Sequence, residues 1–136
     1  MLPTTAEIED EWEAALDWDE RYAFLIDLGR SLAPMDAALK TEATRVRGCS
    51  ANVWVYPLVE EDVLHFQADS DAAITKGIVA LVVAMADGKS PAEVLATDFE
   101  GVIDRLGLRQ HLSSNRTQGL PNMIARVREA AERLSV

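Results

Sequence analysis

Only one part of this chain reads as β-structure, and it reads as a hairpin. Residues 52–58 carry Val53, Trp54, Val55 and Tyr56, the β-branched and aromatic types that suit a pleated surface. Pro57 cannot donate to a ladder, which puts this strand at an edge or near its end. Glu60-Glu61-Asp62 is a tight polar turn, and Val63 to Ala68 is the partner strand. Within it Leu64, Phe66 and Ala68 point one way, and Val63, His65 and Gln67 the other. Everything else is helical or irregular. With no βαβ alternation, no repeat and no low-complexity linker, the pattern predicts an α+β domain, a small antiparallel sheet packed against several helices.

Helical spacing places the rest. Residues 5–17 form an acidic helix in which Thr5 can cap and Ile8, Trp12, Ala15 and Leu16 share a face. A second helix starts near Asp19 with Tyr22, Leu25, Ile26 and Leu32 as its apolar face and Gly29 close to its end. Residues 33–48, with Pro34, read as an irregular and locally basic loop (Lys40, Arg45, Arg47). Asp69-Ser70-Asp71 offers caps for a helix that runs to Ala86, so apolar in its second half that it is the central buried helix. Asp87-Gly88 ends it. Ser90-Pro91-Ala92-Glu93 is a capping box with proline at the first helical position, Thr97-Asp98-Phe99-Glu100 repeats the box, and Gly107 closes that helix. A last helix reaches about Leu134 on Met123, Ile124, Val127, Ala130 and Ala131, with Pro121 tolerable only in its first turn.

The totals narrow the function. A chain of 136 residues is expected to be one domain, 1–136, with the acidic helix of 1–17 preceding the main body. The formal net charge of -10 disfavours nucleic acid, whose backbone needs a basic surface. Residues 1–20 hold eight acids and no Lys or Arg, either a solvated face or a patch that meets a basic partner. The longest apolar run, 77–86, is too short to span a bilayer, and no secretory signal is visible, so cytoplasmic is the expectation.

Cys49 is the one cysteine, in Arg45-Val46-Arg47-Gly48-Cys49-Ser50-Ala51-Asn52. One sulfur makes no internal disulfide and is a poor base for a zinc or iron–sulfur site. It is either a nucleophile and carrier or a small buried hydrophobe. Gly48 permits a sharp turn before it, and Arg45 and Arg47 favour a thiolate. Lowering a thiol pKa by roughly one unit raises the thiolate fraction about sixfold and cuts intrinsic nucleophilicity about threefold, a net gain of only about twofold. Docking beside an electrophilic sulfur contributes several orders of magnitude. The arithmetic favours a protein-docked carrier over a stand-alone enzyme. A Cys–His hydrolase would use His65 or His111 as base. A metal site from Cys49, His65, His111 and a carboxylate has no supporting ligand spacing. Arg116 is either a surface arginine or an anion-holding one.

Taken together, these residues resemble the SufE family of sulfur-acceptor proteins from about Trp18 to Leu134. The likeness rests on Arg21-Tyr22, Leu25-Ile26 and Leu28-Gly29, then Arg45-Val46-Arg47-Gly48-Cys49 with Val53-Trp54. It continues through His65-Phe66-Gln67-Ala68-Asp69-Ser70-Asp71-Ala72, Lys76-Gly77, Gly107-Leu108, Gln110-His111-Leu112-Ser113, Arg116 and Gly119-Leu120. Order and spacing over one chain make the match specific. The chain departs from the family's usual residues at Thr44, Ala51-Asn52 and Pro121, which bear on loop hydrogen bonding and the start of the last helix.

The resemblance implies a fold shared with the IscU-type scaffolds and a thiol, Cys49, that accepts persulfide sulfur from a cysteine desulfurase (SufS-like or CsdA-like), stimulates that enzyme, and passes the sulfur to a SufBCD-type iron–sulfur scaffold. It implies no cofactor on this chain, pyridoxal phosphate belonging to the desulfurase, and a monomer or weak homodimer. Arg45, Arg47, Gly48, Asp69, His111 and Arg116 would support the cysteine loop, with Asp69 and Arg116 setting its conformation. IscU-type scaffolds use three cysteines and this chain has one, so a scaffold role is disfavoured. The rival reading is a non-catalytic adaptor that activates a desulfurase by surface contact.

Overall fold

A computed structural model describes residues 2–134; Met1, Ser135 and Val136, which the expected domain 1–136 includes, lie outside them. The hairpin forms as its residues dictate. Strand β1 (Val53–Glu60) pairs antiparallel with β2 (Val63–Ser70), in a register that sets Val53 opposite Ser70 and Glu60 opposite Val63. Glu61 and Asp62 make the turn at φ 53° and 67°, the left-handed pair that matches strand twist in a two-residue hairpin. Leu64, Phe66 and Ala68 are buried, as the alternation predicts, and Pro57 sits within β1 opposite Phe66. A sheet of two strands has only edges, so the missing proline donor costs little there.

Against this sheet lies α3 (Ala73–Ala86), whose residues 77–83 are all buried. Burial of Val79, Leu81, Val82 and Met85 stabilises the fold by about 1.5–3 kcal/mol each. Its partner is α2 (Trp18–Arg30), and their backbones nearly touch. A Cβ at Gly29 would fall 2.9 Å from the Gly77 amide nitrogen, and one at Gly77 would strike the Leu25 carbonyl. The two glycines are therefore what lets the helices close. The opposite flank is covered by α8 (Leu120–Leu134), with Pro121 in its first turn and Met123, Ile124, Val127, Ala130 and Ala131 buried. Between them run α4 (Pro91–Ala96), α5 (Phe99–Leu106), α6 (Leu108–His111) and α7 (Ser114–Thr117). The Ser90/Glu93 capping box and the left-handed Gly107 stand as read from the sequence.

Several boundaries move, each for a local reason. Helix α1 spans Thr5–Ala14, and its cap is Thr4, not Thr5, in a reciprocal box with Glu7. The helix stops before Leu16, which is 88% exposed rather than part of the Ile8–Trp12 face, because Asp17 caps α2 by accepting the Glu20 amide at 2.9 Å. Ile8 and Trp12 join the main core, and the Trp12 indole donates to the Leu106 carbonyl at 2.9 Å, so the acidic helix is stitched to the body. Thr97 ends α4, and Asp98 caps α5 through the Gly101 amide. Residues 69–71 do not cap α3: Asp69 and Ser70 finish β2, and the cap position falls to Ala72, which has no side chain to offer. Residues 33–48 are not wholly irregular. They hold a short 3-10 turn at Ala37–Leu39 and a two-bond bridge to β1, Val46 N–H to Val53 O at 2.8 Å and Val55 N–H to Thr44 O at 2.9 Å.

Candidate functional site

The bridge at Thr44–Val46 delivers the chain to the cysteine loop, residues 47–52. Gly48 turns it at φ 85°, a left-handed conformation that costs a side-chain-bearing residue about 1 kcal/mol or more. A Cβ there would also collide with the Asn122 amide, which donates to the Arg47 carbonyl at 2.7 Å. Arg126, one turn further along α8, donates to the carbonyls of Arg45, at 3.1 Å, and Ala43. At the far end the Asp71 carboxylate accepts from the Asn52 amide at 3.0 Å and its side chain at 2.8 Å. Midway, the Ser50 hydroxyl donates to the Asn115 carbonyl of α7 at 2.6 Å. The loop is thus tied to α8, to the α3 approach and to α7. Asn52, one of the positions where the chain departs from the resemblance, supplies one of these ties.

Cys49 lies in the middle, half-buried and packed against the edge of the core. Its sulfur rests on Gly119, where any Cβ would overlap it. Burial raises its pKa above the ordinary thiol value, and the Arg45 guanidinium pulls the other way but more weakly. The expectation that Arg45 and Arg47 make a thiolate is therefore corrected for the resting loop: desolvation wins. Arg45 itself is shared with Glu42 at 3.7 Å, and Arg47 is exposed, its carbonyl rather than its charge engaged.

The other expected residues spread outward. Asp69 reaches no residue of the loop by hydrogen bond among the described residues. It holds Lys40 at 2.6 Å and Lys76 at 3.3 Å, joining the segment before the loop to α3. Its burial opposes ionisation, but hydrogen bonds from Lys40, the Ser70 amide and Lys76 together prevail and hold the carboxyl below its usual range. Lys40 also lies over the Trp54 ring at 5.3 Å. His111 stacks on Trp18 at 4.2 Å, on the α2 side, and its backbone carbonyl accepts from the Tyr22 hydroxyl. His65 pairs with Asp87 at 3.4 Å. It lies five residues up β2 from Ser70, roughly 16 Å along the strand from the base of the hairpin. Neither histidine is hydrogen-bonded to Cys49 among the described residues, so no Cys–His pair is assembled. Nor do three or more His, Cys, Asp or Glu side chains gather anywhere among them to hold a metal. Arg116 is exposed and borders a groove of about 470 Å³ that Ser50 and Ala51 also line.

Sequence reasoning gave no role at the cysteine loop to Gly119, Asn122, Arg126, Asn115 or Asp71, the last read only as a helix cap. The first had a signal, a glycine pressed against the start of a helix. Asn115, Asn122 and Arg126 are ordinary polar surface residues until the loop is seen against them.

The chain as a whole is matched by family and by fold. A family model described as SufE, Fe-S metabolism associated domain, matches residues 6–131. A SufE-like protein of Rhizobium meliloti (strain 1021) is 35% identical over 130 residues, covering 93% of this chain and 93% of its own. One from Rhizobium etli is 35% identical over 136 residues, covering 97% of this chain and 92% of its own; both are described as uncharacterized. The solution structure of a hypothetical protein from Thermus thermophilus superposes with a TM-score of 0.77 at 20% identity, covering 98% of each chain, which shows the fold alone.

Proposed function

Since this chain belongs to the SufE family, the Fe-S metabolism associated domain, we propose that within that metabolism Cys49 is a sulfur acceptor. The donor is the persulfide of a pyridoxal-phosphate cysteine desulfurase, SufS-like or CsdA-like. The Cys49 thiolate attacks the outer sulfur of that persulfide, a Cys49–sulfur bond forms, the donor's S–S bond breaks, and the desulfurase thiolate leaves with the electron pair. There is no net redox change, and the proton released by Cys49 is balanced by the one the leaving thiolate takes up. The chain, acting as one domain in the cytoplasm, as a monomer or weak homodimer, stimulates the desulfurase and hands the sulfur to a SufBCD-type scaffold. It needs no cofactor of its own.

The observation that carries this reading is the state of the thiol. It is half-buried, its pKa raised by burial, and it is held on a short loop whose ties are hydrogen bonds rather than deep packing. A resting thiol of this kind is protected from oxidation, and a docked partner can draw it out. Arg45 then acts on a sulfur that is no longer desolvated. No helix among the described residues is long and apolar enough to cross a membrane, which suits a carrier moving between protein partners.

The test is direct. The protein is incubated with a cysteine desulfurase and cysteine, then weighed intact. One added sulfur atom is expected, removable by reductant and absent from Cys49→Ala. A Cys49→Ala protein that still gains sulfur overturns the assignment, and a Cys49→Ser protein that keeps full stimulation of the desulfurase favours the adaptor reading.

A further inference from the structure

Beside the cysteine loop, the start of α3 opens into the groove that Arg116 borders. A helix of 14 residues presents a partial positive charge there, concentrated in its unpaired amides. Ala72 supplies no cap, and the amides of Ala73, Ile74 and Thr75 donate to no acceptor among the described residues. The nearby carboxylate of Asp71 is already taken by Asn52.

A second observation points to a ligand. Thr75 is only 6% exposed, yet its hydroxyl makes no hydrogen bond among the described residues. No buried side-chain oxygen or nitrogen is both sealed and unpaired among them, so this hydroxyl is reached by solvent, and Thr75 lines the groove. Across it stands the exposed Arg116, which forms no ion pair among the described residues. A row of free amides, an unpaired hydroxyl on a mostly buried residue and an unpaired guanidinium around one groove is a donor set with no acceptor.

We propose that this groove is a carboxylate-binding site, in which the Ala73–Thr75 amides, the Thr75 hydroxyl and the Arg116 guanidinium grip one oxyanion next to the Cys49 loop. The carboxylate comes either from an acidic side chain of the docked desulfurase or from a small free carboxylate. The site stands independently of whether Cys49 accepts sulfur.

The test uses the full chain, 15N-labelled and titrated with sodium acetate against sodium chloride at constant ionic strength. Saturable shifts at the amides of residues 73–75 are expected with acetate alone. Arg116→Ala should weaken acetate about tenfold, and Thr75→Val about threefold. Ala72→Asp should abolish the response, because the new side chain caps those amides itself. No saturable shift beyond that of chloride overturns the proposal, as does an undiminished response in Arg116→Ala or Ala72→Asp. A second arm measures desulfurase binding by calorimetry. Competition by acetate, lost in Arg116→Ala, assigns the carboxylate to the partner, whereas acetate binding that leaves desulfurase affinity unchanged assigns it to a free small molecule. Because the first arm uses no sulfur chemistry, failure of sulfur transfer to Cys49 leaves it readable.

Discussion

Gly119 leaves the space that the Cys49 sulfur fills. A Cβ on residue 119 would overlap Sγ and lie 3.1 Å from both Cα and Cβ of Cys49, so the glycine at the foot of α8 and the thiol on the loop fit only as a pair. Gly119→Ala should therefore push the loop outward rather than merely crowd it. Expected outcomes are faster alkylation of Cys49 by iodoacetamide and a loss of about 1–3 kcal/mol in urea unfolding. An unchanged alkylation rate would mean that the sulfur does not rest where the structure puts it.

Burial of the thiol predicts its pH response. With the folded pKa raised, the alkylation rate of the native protein should climb with pH to a midpoint above that of an unfolded control, near 8.5. Arg45→Ala removes the opposing charge and should move the midpoint higher still. By linkage, the raised pKa favours the neutral native thiol, so its contribution to stability holds below the unfolded pKa and declines as pH rises past it. A native midpoint below the control sinks the desolvation argument.

Asp69 links Lys40 to Lys76, and its side chain is 17% exposed. Asp69→Asn should cost about 1–3 kcal/mol, because two ammonium groups lose their shared partner. The wild-type carboxyl titrates below its unfolded value, so the stabilisation is present above about pH 3.9 and is lost as pH falls through the lower folded value. Denaturant midpoints for the two proteins at neutral and acid pH check it: the gap should narrow at acid pH.

Glu100 and Arg128 join α5 to α8 through two parallel bonds of 2.6 and 2.7 Å. The guanidinium lowers the Glu100 carboxyl to a pKa of about 2. Both side chains are at least a third exposed, so solvent screening limits the pair to about 0.5–1 kcal/mol. Glu100→Gln should lose that amount at pH 7. The contribution is present above the unfolded value near pH 4.3 and disappears as pH falls toward 2. A deficit that persists undiminished at pH 2 would locate the effect in packing.

What the sequence made legible was what short-range physics decides. Alternation in 63–68 set the buried face of β2, a nearly unbroken apolar run marked α3 as central, and Ser90-Pro91 and Gly107 punctuated their helices. Caps failed where two candidates stood side by side. Thr4 and Thr5, or Thr97 and Asp98, differ by one residue, and the choice depends on where the chain arrives from. Asp69 reads as a cap until β2 runs on through Ser70 and turns its carboxylate toward two lysines. The thiol was evident as a candidate. The sign of its pKa shift was not, since neighbouring arginines are visible in a string of letters and the packing over a sulfur is not.

The ties at Arg47 and Asn52 leave only residues 48–51 between them. At about 3.3–3.6 Å per residue the stretch from Arg47 to Asn52 reaches roughly 17 Å at most, so with both ties kept the Cys49 backbone swings out by less than roughly 9 Å even after the Ser50 bond is released. With both ties kept, the loop is a short tether and not a swinging arm. A partner that engages Cys49 while those ties hold has to bring its own reactive atom close, so the longer stroke belongs to the visitor.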